Sequence, residues 1–234
     1  METLHISNRE KISQSMVIKL IGVLIGVALV FLFLSSPSIS TAFISLLVGS
    51  IAVALTYHIM RKAYNGFTLT ATHLQQHRVK GGWLLSWDNI EVIGQCQEDD
   101  DGWKRPLPWI GIKIKDYHPF INSICPRLAV DLLMEQRALL YAGIHREERE
   151  KFQDLVLDSK HVQDGKHYYK GLQATLANRM RHMRGAFGYD IFIAQGDLDR
   201  PIEDFIGLSR RYLAAASRPT TVEKAMDERD TSAG

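Results

Sequence analysis

Apolar and polar positions fall into distinct blocks along this chain. From Leu20 to Met60 there is no Asp, Glu, Lys or Arg. A hydrocarbon core of about 30 Å is crossed by roughly 20 helical residues, so this block is too long for one pass and suits two. Ser35, Ser36, Pro37 and Ser38 supply a polar break near its middle. The expectation is a transmembrane helical hairpin with spans at 16–36 and 39–61, each satisfying its backbone hydrogen bonds internally. A cleaved signal peptide fits less well, because Pro37 crowds any cleavage point and a second apolar stretch follows at once. Gly22 and Gly26 are four apart and Gly49, Ala52 and Ala54 lie on the second helix, a small-residue pattern that suits close packing of the two helices or of two copies.

Basic flanks set the orientation. Arg9, Lys11 and Lys19 precede or open the first helix, and Arg61 and Lys62 follow the second, while the turn between them is uncharged. By the positive-inside rule both termini, residues 1–15 and everything after Arg61, face the cytoplasm. Cys96 and Cys125 then stay reduced, and 29 residues apart without a CxxC pair they carry no zinc signature. His58 beside Tyr57 reads as an interfacial residue rather than a proton relay, since the helices offer it no partner.

Beyond the hairpin the period changes to two. Phe67, Leu69 and Ala71 alternate with Thr68, Thr70 and Thr72, and Trp83, Leu85 and Trp87 alternate with Leu84, Ser86 and Asp88. Such alternation marks half-buried strands. Lys80-Gly81-Gly82 supplies a hairpin turn, Asp88-Asn89 a corner, Ile90–Cys96 a further strand, and Ile110, Ile112 and Ile114 another. About five short antiparallel strands are expected over 66–116, curling into a small barrel or half-barrel. The run Glu98-Asp99-Asp100-Asp101-Gly102 lacks the oxygen order of a calcium loop and reads as a solvated hairpin tip beside Lys104 and Arg105.

A helical block follows. Pro126 suits a first helical position and Gly143 follows a last turn, with Leu128, Leu132, Leu133, Leu139 and Leu140 on one face. Glu147–Leu157 is a shorter, more polar candidate. Tyr169, Leu172, Leu176, Met180, Met183 and Phe187 step by three or four, an amphipathic pattern whose other side carries Lys170, Arg179, Arg181, His182 and Arg184. This basic helix, 168–184, is a candidate for anionic lipid head groups, against the alternative of a solvated face balanced by Asp190 or the acidic run. Gly188–Ala194 reads as a last strand, and Ile202, Phe205, Ile206 and Leu213 as the buried stripe of a capping helix. Ser217–Gly234 has no apolar period, and 217–234 is expected to be a disordered tail.

Charge and motif searches narrow the function. In 234 residues, 28 Lys and Arg stand against 26 Asp and Glu, a net charge of +2, far from the excess of a nucleic-acid binder. Nine histidines are scattered, and there is no Gly-rich phosphate loop, HExxH or GxSxG. No catalytic residue, metal or cofactor is expected.

The segment Leu84-Leu85-Ser86-Trp87-Asp88-Asn89-Ile90, the strands from residue 66 and the last strand with its amphipathic helix resemble the bacterial pleckstrin-homology-like (PH-like) domains, which often follow two transmembrane helices. The stretch Gly188–Leu213, GYDIFIAQGDLDRPIEDFIGLSRRYL, is similar to the end of a group of uncharacterised two-span inner-membrane proteins of Gram-negative bacteria. Taken whole, the chain resembles an uncharacterised gammaproteobacterial domain-of-unknown-function family of that group. The resemblance implies an α+β membrane protein of the bacterial inner membrane. A PH-like domain at 63–216 would carry a helical insert at 119–187 and close on a C-terminal helix. It carries over no catalytic residues. The function expected is a non-catalytic, membrane-anchored scaffold or adaptor that binds a protein partner, with Trp103 and Trp109 as candidate anchors. The alternative is an anionic-lipid module using Lys170, Arg179, Arg181 and Arg184. Homo-oligomerisation is a further expected contact, besides the bilayer itself.

Overall fold

The computed structural model describes residues 2–7, 16–35, 38–62, 65–100, 103–143 and 152–217. Period-two alternation becomes two antiparallel sheets. The first has the order β1 (Leu4–Ser7), β2 (Asn65–Leu69), β3 (His73–Arg78) and β4 (Gly81–Ser86). Phe67, Leu69, Leu74, Trp83 and Leu85 all face the core, as the alternation demands. The β3–β4 turn is two residues long, because Arg78 pairs with Gly81, and Gly81 takes the positive φ of 127°.

Residues 1–15, expected only as a cytoplasmic N-terminus, contribute β1 to the sheet. Leu4 sits opposite Leu69 and Ser7 opposite Gly66, so the chain contributes an edge strand before it enters the helices. Ile6 is fully buried by this pairing. The Tyr212 hydroxyl donates to the Glu2 carbonyl at 2.7 Å, tying this end to the last helix.

The second sheet has the order β5 (Ile90–Asp100), β6 (Trp103–Ile114), β9 (Ile191–Ala194). The expected barrel or half-barrel is instead two separate sheets. A turn of 3-10 helix at Trp87–Asn89 ends pairing at β4, and a register shift between Ile90 and Val92 starts β5 in a new direction. Ile90, Ile93, Ile110, Ile112, Ile191 and Ile193 line the inner side of this second sheet.

Between β6 and β9 the chain runs through α3 (His118–Ser123), α4 (Pro126–Glu135), α5 (Arg137–Gly143), α6 (Phe152–Val156), the small hairpin β7 (Val162–Asp164) and β8 (His167–Tyr169), and α7 (Gly171–Phe187). The helix read as continuous from Pro126 to Gly143 breaks at Gln136, which is buried. Gly188, in the left-handed conformation at φ 77°, stops α7, its N–H returning to the Arg184 carbonyl. α8 (Ile202–Ala216) closes the fold over both sheets. Phe205 meets Phe67 edge-on at 5.3 Å, and Tyr212 stacks on Trp87 at 5.9 Å.

The apolar block forms α1 (Met16–Leu34) and α2 (Ile39–Lys62), which pack on each other. Among the described residues no helix is long and apolar enough to cross a membrane. This overturns the transmembrane hairpin, the membrane fold class and the placement in the bacterial inner membrane. In α1, Lys19 leaves only Leu20–Leu34 free of charge, about 22 Å at 1.5 Å per residue, short of a core of about 30 Å. Gly49 packs against Leu29, while among the described residues none lies within 4 Å of where a Cβ would sit at Gly22 or Gly26. Arg9, Lys11, the centre of the 35–38 break, Asp101-Gly102, the start of the Glu147–Leu157 candidate and residues 218–234 of the tail lie outside the described residues.

Candidate functional site

The six residues singled out in the sequence do not form one site. Trp103 stands at the end of a two-stranded arm. β9 pairs only with Trp109–Ile112 of β6, so the segments Gln97–Asp100 and Trp103–Pro106 pair with each other and extend past the three-stranded region. At the tip of this arm Trp103 is 82% exposed. Register places Glu98 opposite Arg105 and Asp99 opposite Lys104 along the arm. Trp109, at the arm's base, packs instead against a small apolar cluster of Cys96, Leu139, Leu140, Met183 and Phe192.

The basic helix is dismantled by burial. Arg179 is 2% exposed. Its two terminal nitrogens donate to the Leu133 and Val156 carbonyls, each at 3.2 Å. Those carbonyls lie in the last turns of α4 and α6, where helices carry unsatisfied acceptors and the negative end of the macrodipole. Burial, with Arg137 nearby, brings the Arg179 guanidinium down to about 10. It is a double C-terminal cap, inaccessible to any ligand.

Arg184 is committed elsewhere. Its Nε donates to Asp190 Oδ1 at 2.6 Å, and a terminal nitrogen donates to Asp190 Oδ2 and to the Ile114 carbonyl. Asp190 is fully buried and also accepts from the Tyr117 hydroxyl at 2.8 Å and the Ile114 N–H at 2.9 Å. Both carboxylate oxygens are thus satisfied, as a buried charge requires. Burial, then the bond to Asp190, pushes the Tyr117 phenol up. This network fixes the start of β9 to the end of β6.

Lys170 and Arg181 alone of the basic set stay exposed, and the structure brings them to the same face as two residues the sequence reading passed over. Lys170 Nζ lies 5.2 Å from the Tyr168 ring centroid. The Tyr168 hydroxyl hydrogen-bonds His161 Nδ1 at 2.8 Å. Arg181 donates to the carbonyl of Gln163, the residue opposite Tyr168 in the hairpin. The other side of this hairpin rests on α3, where the His118 and His167 rings stack 3.4 Å apart and 8° from parallel.

A polar cleft of about 160 Å³ lies between the β3–β4 turn and α4. Arg78 bridges Glu135 at 2.6 Å and Asp197 at 2.8 Å, and Lys80 meets Asp131 at 2.8 Å. Burial lowers the Arg78 guanidinium, but the bond to Glu135 and the charge of Asp197 outweigh it and hold it above its ordinary value. Asp131 and Glu135 thus pair across elements rather than along α4, and the cleft is a clamp joining β3, α4 and the loop before α8. Among the described residues no group of three or more His, Cys, Asp or Glu is placed to hold a metal ion.

The chain matches the profile of a family described as Protein of unknown function (DUF2982) over residues 67–215, the span from β2 to the end of α8. No curated protein and no solved structure matches it. The matched span covers well over half of the sequence, and the chain belongs to this family of proteins of unknown function.

Proposed function

We propose that the chain is a non-catalytic adaptor that binds a protein partner, and that the partner docks on the β5–β6 arm through Trp103. The reading rests on one observation above the others: a tryptophan exposed to 82% at the tip of a projecting hairpin. A large aromatic left in water costs hydrophobic free energy that a partner's pocket recovers, and tryptophan is enriched among residues that dominate binding. The order of strands leading to a last strand and a closing amphipathic helix, β2 to β9 and then α8, resembles the PH-like domains, and that fold hosts many unrelated binding roles. The titratable groups support a binding role as well. Asp190, Tyr117, Arg184 and Arg78 are engaged in holding elements together, and burial raises the Cys96 thiol to about 12.

Affinity capture with the full chain from its own cells tests this reading. The wild type retains a stoichiometric second polypeptide, and Trp103→Ala loses it while melting at the same temperature. Identical captured proteins with both chains, or none with either, would end the proposal.

A further inference from the structure

We infer that the outer face of the β7–β8 hairpin is a second docking surface, and that it takes an extended acidic segment of a protein partner. Val162 and Tyr169 face each other across the hairpin and both are buried, so the next pair, Gln163 and Tyr168, points outward. Tyr168 is 55% exposed. Around it stand His161, hydrogen-bonded to its hydroxyl, Lys170 over its ring, and Arg181 against the backbone of its cross-strand neighbour. Lys166 in the turn and Lys160 before β7 are exposed as well. The carboxylates close by are turned away from this face or engaged. Asp158 holds His182 at 3.1 Å, and Asp164 pairs in register with His167 on the inner side. The result is an exposed tyrosine with Lys170 over its ring and Arg181 at its cross-strand neighbour, on a helical insert whose other basic residues, Arg179 and Arg184, are engaged by backbone carbonyls and Asp190.

Charge complementarity selects an anionic partner, and the dimensions select a chain over a bilayer. Each strand has three residues, about 10 Å of length, which matches a few side chains of one extended segment. A bilayer engages a broader surface than this. Among the described residues β7 and β8 pair as strands only with each other, and the Gln163 carbonyl of β7 is taken by Arg181, so an extended segment lies across the outward face over Tyr168 rather than adding as a strand. Carboxylates would then meet Lys170 and Arg181 while an apolar group covers the Tyr168 ring, the arrangement of a small aromatic and cationic hot spot.

The test titrates the full chain with a short fluorescent peptide rich in Asp and Glu, with a Lys-rich peptide of equal length, and with vesicles containing phosphatidylglycerol. The acidic peptide binds at low salt and weakens as salt rises. Tyr168→Ala and Lys170→Glu each weaken it about tenfold, the effect of one hot-spot residue, without changing the melting temperature. Arg211→Glu, an exposed position on α8, leaves it unchanged. Failure of the acidic peptide to bind at low salt overturns the inference, as does equal affinity in the hairpin variants. Binding to the vesicles with indifference to the peptide overturns it too. None of these outcomes bears on the Trp103 site, which is read by its own capture experiment.

Discussion

The ring of Tyr189 occupies the space that a side chain at Gly111 would need. Gly111 pairs with Gly94 across β5 and β6, and a Cβ at either position would lie closer than 3.0 Å to Tyr189. Two glycines in register weaken a sheet on their own, and an aromatic laid across them restores the lost packing. Burial lifts the Tyr189 phenol above its ordinary range, in keeping with this covered position.

Gly111→Ala therefore overpacks the second sheet. Chemical denaturation should show a loss of about 1–3 kcal/mol. In a double-mutant cycle Tyr189→Ala should absorb much of that loss, because the two residues share one space. Additive effects would show that Tyr189 does not fill that space.

The N-terminal strand belongs to the domain although α1 and α2 separate it from β2. Since Ser7 pairs with Gly66, a two-residue Asn-Gly turn joining them preserves the register. A chain with residues 8–65 replaced by Asn-Gly should melt in one cooperative transition. A chain beginning at residue 63 exposes the edge of β2 and the apolar ground under Ile6, and should be less stable by at least about 2 kcal/mol. Equal melting of the two chains would remove β1 from the account.

The buried Cys96 thiol gives a pH signature. Desolvation lifts it to about 12, against 9.0 in the open chain. The folded state holds this proton where the unfolded chain releases it. Its contribution to stability is whole below pH 9 and drains away as pH climbs toward 12, at about 1.4 kcal/mol per pH unit. Stability measured at pH 8 and pH 10 should therefore fall more for the wild type than for Cys96→Val. Parallel curves would contradict a buried, protonated thiol.

Much of the fold was legible, and the exceptions have physical causes. Strong alternation between Phe67 and Ile114, and the helical stripes Tyr169–Phe187 and Ile202–Leu213, locate the main sheets and α7 and α8, because burial of one face imposes the period; the helix expected from 168 begins only at Gly171, and Tyr168 and Tyr169 belong to β8. β1 escaped because its four residues are too few for a period and its partner lies some sixty positions away. β7 and β8 pair close in sequence but, at three residues each, are likewise too short for a period. The membrane reading failed on helix content: a charge-free block is not by itself a helix long and apolar enough to cross, and Lys19 shortens the first of the two.

The basic patch shows how counting charges misleads. Arg179 follows Leu176 by three and precedes Met183 by four, so the helical period already put it on the apolar stripe. Its burial was readable from spacing, but its partners, carbonyls ending two other helices, were not. The exposure of Trp103 was unreadable too, since alternation alone gives no hint that β5 and β6 outrun β9.

If Trp103 anchors a protein partner, site-specific photo-cross-linking in living cells captures that partner at this position. A photoreactive residue at position 103 should yield one discrete adduct with another polypeptide. The same residue at Leu157, also well exposed but far along the chain on the helical insert, should yield none of that species. An adduct of equal strength from both positions, or none from position 103, would contradict the account.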